Sequence, residues 1–417
     1  MHILILPSEY FITKENPIAG IFQFDQAKIF IEEGNKVGVL AVKPRYSLKE
    51  LFREIRNRFS KRNGFKQIVE DLLFLLFPIP FAFKKEQKEG INIIRFNGSY
   101  GLTRTSDFKG RLEKWKKIGD YAMAKYIKKH GKPDVMHAHN MKYAGMMGNY
   151  LSKKYNIPIV LTERSSEHKM KKFPNDLESM ISNHFQIMTN LNAVSPSLVK
   201  TIEKRYKVEV DKIKWFPNVI DKLFEMEQPT SSLDESKFVF LNVASLIPIK
   251  GQEELIKAFD AAFSERDNVI LRIVGGGYLR SKLEQLIVDL NLSNRVELTG
   301  FKDRNEVVKE MRNCNVLVLP SHHETFGVVL IEALALGKPL IASKCGGPEC
   351  IVNQQNGFLF DTEDVGGLSV SMQEMKNNYS EYNSLEIRKN LLETFGKEIF
   401  YTRIKEIYQK AINDNNY

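Results

Sequence analysis

The chain is short of several features, and each shortage excludes a class of protein. Its 417 residues include three cysteines, Cys314, Cys345 and Cys350, too few for a disulfide framework, and no Cys-x-x-Cys pair suggests zinc. A reducing compartment is the simplest home for such a chain. The longest greasy stretch, Leu72 to Phe83, has twelve residues and two prolines, whereas a bilayer span needs about 20 apolar residues. The opening residues Met1 to Pro7 form a short apolar run without a basic segment or a cleavage site. They read as a first buried strand and not as a signal peptide. There is no internal repeat, no low-complexity tract and no Asp-x-Asp pair. An apolar fraction of 43% excludes wholesale disorder, and the length suggests two or three domains.

Charge is present in excess, and unevenly. The formal net charge is +10, but residues 1–220 hold 39 Lys/Arg against 22 Asp/Glu, while the rest holds 22 against 29. A basic half joined to an acidic half suggests that the two meet different partners, unless the bias is only a solvated surface. Between Lys43 and Lys66 there are nine Lys/Arg and two Asp/Glu, followed closely by the apolar stretch Leu72–Phe83. Basic charge beside a greasy patch suits an anionic membrane surface; a solvated basic helix on an internal apolar segment is the plainer alternative. A nucleic-acid partner is not expected, because no basic–aromatic stacking motif or helix-turn-helix pattern accompanies the charge.

Short β-branched runs alternate with amphipathic stretches along the chain. Val37–Val42, Ile91–Phe96, Val135–His137 and Ile159–Thr162 read as buried strands in the first half. Phe238–Ser245, Val269–Val274, Val296–Gly300, Val316–Pro320 and Pro339–Ala342 do so in the second. Lys114–Lys129, Gln252–Phe263, Leu279–Leu290, Val328–Leu336 and Glu398–Ala411 read as helices. This alternation predicts an α/β chain with two doubly wound parallel sheets. The boundary is expected in Asp221–Lys237, where the periodic apolar pattern lapses. The expected domains are 1–220 with the closing helix 398–417, and 221–397.

The densest segment is VLVLPSHHETFGVVLIEALALGKPLIASKCGG, starting at Val316. A strand runs into Pro320, a polar turn follows, and a helix is expected to start near Thr325 or Phe326. Glu324 precedes that helix, beside its unsatisfied amides and positive dipole end, and Glu332 lies about 9 Å along it. One nucleotide sugar would fit between them, with the diphosphate at the helix N-terminus. Taken singly, Glu324 reads as a helix cap and Glu332 as the partner of a nearby cation. Gly275–Gly277 follows a strand, but Arg280 stands where a dinucleotide fingerprint needs glycine, so hydride chemistry is not expected.

Glu324, seven intervening residues and Glu332, followed by Gly346-Gly347-Pro348-Glu349, resemble the signature of family-4 retaining glycosyltransferases of GT-B fold. Gly20, HAHN at 137–140, AVSP at 193–196, PNVID at 217–221, KG at 250–251, IVGGG at 273–277 and LTGF at 298–301 agree in order. The resemblance implies two Rossmann-like domains facing a central cleft, with a C-terminal helix crossing back to the first domain. The donor, a UDP- or GDP-linked sugar, would bind the second domain, and a saccharide or lipid-linked acceptor the first. Donor contacts would come from Gly20, Ser245, Lys250, Glu324, Phe326, Gly327, Val328 and Glu332. Glu324, His139 and Lys250 would act in catalysis: Lys250 neutralises the leaving diphosphate and His139 lies near the transferring sugar. Read alone, Lys250 is a surface lysine and His139 a structural histidine. The family commonly has arginine five residues before the lysine; here it is Ser245. No metal or cofactor is expected, and the location implied is cytoplasmic, peripheral to the inner membrane. An epimerase or phosphorylase-like enzyme of the same fold is the alternative.

Overall fold

The computed structural model describes residues 1–13, 19–44, 82–98, 100, 103–229 and 237–415. Most of the basic and apolar stretch 43–83 read above as a membrane contact lies outside them. The chain divides into two compact units. One comprises Met1–Ala193, Val199–Phe216 and Tyr401–Tyr417; the other comprises Val194–Leu198 and Pro217–Phe400.

In the first unit the described strands are β1 (His2–Leu6), β2 (Lys36–Ala41), β3 (Phe83–Lys88), β4 (Ile91–Phe96), β5 (Val135–His139), β6 (Ile159–Glu163), β7 (Leu191–Ala193) and β8 (Ile213–Trp215). They form one sheet in the order β3-β4-β2-β1-β5-β6-β7-β8, parallel except for β3 against β4. Strands β1, β5 and β6 are buried along their whole length, and apart from His2 of β1, the two histidines of β5 and Thr162–Glu163 of β6 they are apolar. Strand β3 (FKKEQK) was not expected. Its lysines are exposed at the sheet edge, where charge guards against further pairing, so it carries no apolar signal.

The second unit contains β9 (Phe238–Val243), β10 (Val269–Val274), β11 (Val296–Gly300), β12 (Val316–Leu319), β13 (Leu340–Ser343) and β14 (Gly357–Phe360). Their order is β11-β10-β9-β12-β13-β14, and every pairing is parallel. Phe240, Leu271, Ile273, Val316, Val318 and Ile341 pack beneath Leu255, Ile256, Phe259 and Leu283 from the covering helices. Successive strands step outward from β9 to β11, then the chain returns to lay β12 on the other side of β9. The reversal leaves a crevice beyond the carboxyl ends of β9 and β12. In the first sheet the corresponding reversal lies between β1 and β5.

The closing helix, Lys397–Asp414, begins in the second unit, and its residues from Tyr401 belong to the first. There the buried Tyr408 hydroxyl lies 2.7 Å from His137 Nδ1, while His137 Nε2 lies 2.8 Å from Thr162 Oγ1. His137 thus ties β5 to β6 and to the last helix. Among the described residues no helix is long and apolar enough to cross a membrane.

Burial, with the Arg164 charge as the second cause, lowers the His137 pKa from 6.5 to about 3. The unfolded chain takes up a proton near 6.5 while the folded chain keeps His137 neutral, so protons favour unfolding below that pH. Stability should fall as pH drops from 6.5 toward 4, by up to about 1.4 kcal/mol per pH unit from this group. Urea unfolding followed across that range checks it; a flat profile would contradict the buried arrangement.

Candidate functional site

Four loops meet at the carboxyl edge of the second sheet. The loop after β9 closes with a single 3-10 turn, Pro248–Lys250, ended by Gly251 at φ 67°. A Cβ on Gly251 would stand 2.1 Å from the Pro320 carbonyl oxygen, so only glycine lets this turn lie against the end of β12. The approach brings Lys250 Nζ within 2.5 Å of Glu324 Oε1, 74 residues later in the chain. Ser321 Oγ donates to the same oxygen at 2.8 Å. Both side chains of the ion pair are partly buried, and Glu324 Oε2 is left to receive other donors.

The loop carrying Glu324 is braced from behind. Glu324 forms a parallel bridge with Gly346, and its carbonyl accepts from the Gly347 amide at 2.9 Å. The Gly346 amide in turn donates to Glu349. A Cβ on Gly347 would fall 2.4 Å from the backbone of Phe326, so Gly346-Gly347 is the surface against which the turn is laid.

The helix begins at Val328, with Gly327 as its N-cap at φ 93°. The expected start at Thr325 or Phe326 is therefore corrected: the left-handed glycine cannot continue a helix backwards, and Glu324–Phe326 form the turn before it. Glu324 is consequently not the cap. Val328 lies at the N-terminus, and the first amides there have no acceptor within the helix. Glu332 is about 6 Å along the axis from Val328. Its Oε1 lies 3.6 Å from the Arg304 guanidinium, which also pairs with Asp221.

Ser245 is exposed, and its carbonyl accepts from Gln252 Nε2 at 3.1 Å. A neutral hydroxyl thus stands where the family pattern has arginine. Gly275 and Gly277 let the loop after β10 press onto the loop after β9: Cβ atoms there would come 1.9 Å from the Ala244 oxygen and 2.2 Å from the Leu246 oxygen. Their first task is that backbone contact.

The remaining expected residues lie in the first unit. His139 closes β5 and is fully buried. Arg164 Nη1 lies 2.8 Å from His139 Nδ1. A guanidinium only donates, so Nδ1 accepts and the neutral ring carries its proton on Nε2, which has no partner among the described residues. Burial, then His137 and Arg164, holds the His139 pKa well below 6.5. The residue is thus neither a cation nor a base near neutrality, but a donor. Gly20, at φ 75°, precedes the helix Ile21–Glu32, and a Cβ there would stand 3.1 Å from Phe11 Cα. Its glycine is required by its own backbone and by Phe11.

The sequence reading missed Ser321, Arg304, Asp221 and Arg164 as partners. Ser321 stands three residues before Glu324 in the same turn, and Asp221 closes the PNVID segment, so both offered a local signal. Arg304 and Arg164 reach their partners only through the fold.

Two parallel α/β units, the second with an ammonium–carboxylate pair ahead of a helix N-terminus, define an architecture suited to binding a phosphorylated ligand. Comparison gives the family. The model for glycosyl transferases group 1 matches residues 224–391, and that for glycosyltransferase family 4 matches residues 99–222. An uncharacterized glycosyltransferase of Methanocaldococcus jannaschii is 30% identical over 284 residues, covering 67% of this chain and 74% of the relative. The N-acetyl-alpha-D-glucosaminyl L-malate synthase of Bacillus anthracis is 26% identical over 294 residues, 68% of this chain and 76% of that enzyme. Among solved structures, sucrose-phosphate synthase of Thermosynechococcus elongatus superposes with TM-score 0.72 at 19% identity, covering 99% of this chain and 100% of that one. Anabaena HepE in complex with UDP gives 0.69 at 20% identity, covering 98% and 100%. The chain belongs to the family-4 glycosyltransferases of GT-B fold.

Replacing Gly251 by alanine should strain the turn that delivers Lys250 to Glu324. A stability loss of about 1–3 kcal/mol is expected in urea unfolding. Wild-type stability would mean that Pro320 yields and that the turn is not glycine-dependent.

Proposed function

We propose that the chain transfers a glycosyl group from a UDP- or GDP-linked sugar to a saccharide or lipid-linked acceptor, with retention at the anomeric carbon. The observation that carries the donor side is the cluster Lys250–Glu324–Ser321 ahead of the helix Val328–Ala335, with Glu332 about one turn inside it. The diphosphate lies against the amides of Phe326–Val328 and the Lys250 ammonium, sugar hydroxyls donate to Glu324 Oε2, and Glu332 accepts from the ribose hydroxyls. Structures of HepE with UDP and with UDP-glucose support a nucleotide-sugar donor.

Attack comes from the face the leaving group departs. The acceptor oxygen bonds the anomeric carbon as the carbon–phosphate oxygen bond breaks, and the acceptor proton passes to that phosphate oxygen. The protein positions the reactants and stabilises the growing charge on the diphosphate through Lys250 and the backbone amides. With Ser245 in place of arginine, Lys250 and the amides carry more of that task. His139 contributes a neutral Nε2–H as donor to a sugar hydroxyl. We place the reaction in cell-surface polysaccharide or glycolipid synthesis, at the cytoplasmic face of the membrane. A capsular polysaccharide biosynthesis glycosyltransferase of Staphylococcus aureus, 25% identical over 194 residues, and the basic stretch before Leu72 support this reading.

Glu332→Ala should weaken UDP or GDP binding at least tenfold in calorimetry, the loss of a hydrogen bond to a charged group being worth about 1.5–3 kcal/mol. Unchanged affinity in a folded variant would sink the donor assignment. Lys250→Ala should lower kcat more than it raises KM, because the charge it meets grows in the transition state. Transfer should persist in EDTA; its abolition would show that a divalent metal shares the diphosphate.

A further inference from the structure

The first unit contains a cavity of about 660 Å³ that the donor machinery does not use. It is lined by Ser8, Glu9 and Tyr10 after β1, Lys43 and Pro44 after β2, Asn140, Lys142 and Tyr143 after β5, and residues at and beyond the end of β6. It therefore opens at the reversal point of the first sheet, where β1 and β5 are neighbours.

One wall is aromatic, formed by the buried Tyr100, Trp115 and Tyr143. Trp115 Nε1 donates to the Tyr100 hydroxyl at 2.7 Å, and the Trp115 and Tyr143 rings stack with centroids 5.8 Å apart. Cations stand against this wall. The Arg111 guanidinium lies 3.9 Å from the Tyr100 ring centroid, and Lys142 and Lys43 also line the cavity. The carboxylates of the cavity already have donors. Glu163 accepts from the amides of Met141 at 2.7 Å and Ser165 at 2.9 Å and faces His168 at 3.2 Å. Glu167 joins Lys142 at 3.0 Å and Lys171 at 2.6 Å, and Glu9 accepts from Gln23 at 3.3 Å.

Lys43 is different. Its ammonium lies 4.7 Å from the centre of the Tyr10 ring and has no carboxylate within 4 Å among the described residues. Burial lowers its pKa, against the pull of Glu9 and, more weakly, Glu167, with a smaller push from Lys142. Lys43 is thus a partly desolvated ammonium with no carboxylate among the described residues in direct contact, a group that an incoming anion can pair. The loop beside them is held in backbone conformations that branched side chains rarely adopt, Asn140 at φ 66° and Tyr143 at φ 64°, ψ −56°. Asn140 is fixed there by donating to Ser8 Oγ at 2.8 Å and accepting from the Arg164 amide at 2.9 Å. Such outliers cluster where a ligand is clamped.

We propose that this cavity takes an acceptor bearing an anionic oxygen group, a phosphate or a carboxylate, held by Lys43 with Arg111 and Lys142. The inference rests on the glycosyl-transfer reading above and narrows its acceptor to a charged one. A neutral sugar would leave Lys43 without a direct ionic partner among the described residues, whereas ammonium and guanidinium groups together match a phosphate or carboxylate in charge and geometry.

Calorimetry on the full chain with three probes of one ring form, glucose, glucuronate and glucose 6-phosphate, tests it, with UDP titrated into the same preparation. At least one anionic sugar should bind tenfold or more tightly than glucose, and the stronger of the two tells a phosphorylated from a carboxylated acceptor. Lys43→Met should abolish the preference and leave UDP affinity as in the wild type, while Lys43→Arg restores it. Equal affinities, no binding of either anion, or an unchanged preference in Lys43→Met, each with UDP binding intact, overturn the anionic acceptor and leave the transferase reading standing. Failure of the wild-type chain to bind UDP or GDP overturns the transferase reading instead.

Discussion

Lys250 and Glu324 meet because β9 and β12 are hydrogen-bonded neighbours, although the chain builds two other strands between them. The pairing of Phe240 with Val316 and of Leu241 with Leu317 sets the register, and the loops that leave these strands are carried to the same edge of the sheet. Without that parallel contact the ammonium would be a surface charge and the carboxylate an exposed turn residue. Gly251, pressed on the Pro320 carbonyl, and Gly347, pressed on Phe326, then remove the side-chain bulk that would hold the loops apart. The donor chemistry proposed for this chain therefore depends on one strand adjacency and two bare backbone contacts.

The two units use the same topological device with different chemistry. In the second, the reversal between β9 and β12 gathers amides, an ammonium and carboxylates, groups that suit a diphosphate and hydroxyls. In the first, the reversal between β1 and β5 gathers cations against an aromatic wall, with Asn140 fastening the loops after β1, β5 and β6. Around it, His137, Thr162 and Tyr408 are joined in a buried polar chain that holds the closing helix to the sheet. The paired histidines of β5 thus part in role: one is structural, and the other presents a donor.

Legibility in the sequence followed burial. Ile91–Phe96, Val269–Val274 and Val296–Gly300 were read with the bounds they have, since each is a β-branched run between turn residues. Strands β7 and β8 have three residues each, too short for a period to show, and β3 is charged because it is an edge. The apolar run Val328–Leu336 marked its helix with the true start. The expectation of a start near Thr325 or Phe326 was too early, because an apolar pattern says nothing about the sign of φ at Gly327.

Local composition and spacing were sufficient to determine that the chain is α/β, that it doubles a parallel sheet, and that Glu324 and Glu332 flank a helix start. Those properties arise from residues close in sequence, where periodicity and turn chemistry act. Which groups face each other was decided only by the tertiary structure: Lys250 with Glu324, Glu332 with Arg304, His139 with Arg164, and Lys43 with the Tyr10 ring. Each of these contacts joins loops, helices or strand ends that the sheet order brings together from distant parts of the chain. Charge and hydrogen bonding act over a few ångströms in space, and separation along the sequence carries no record of that distance.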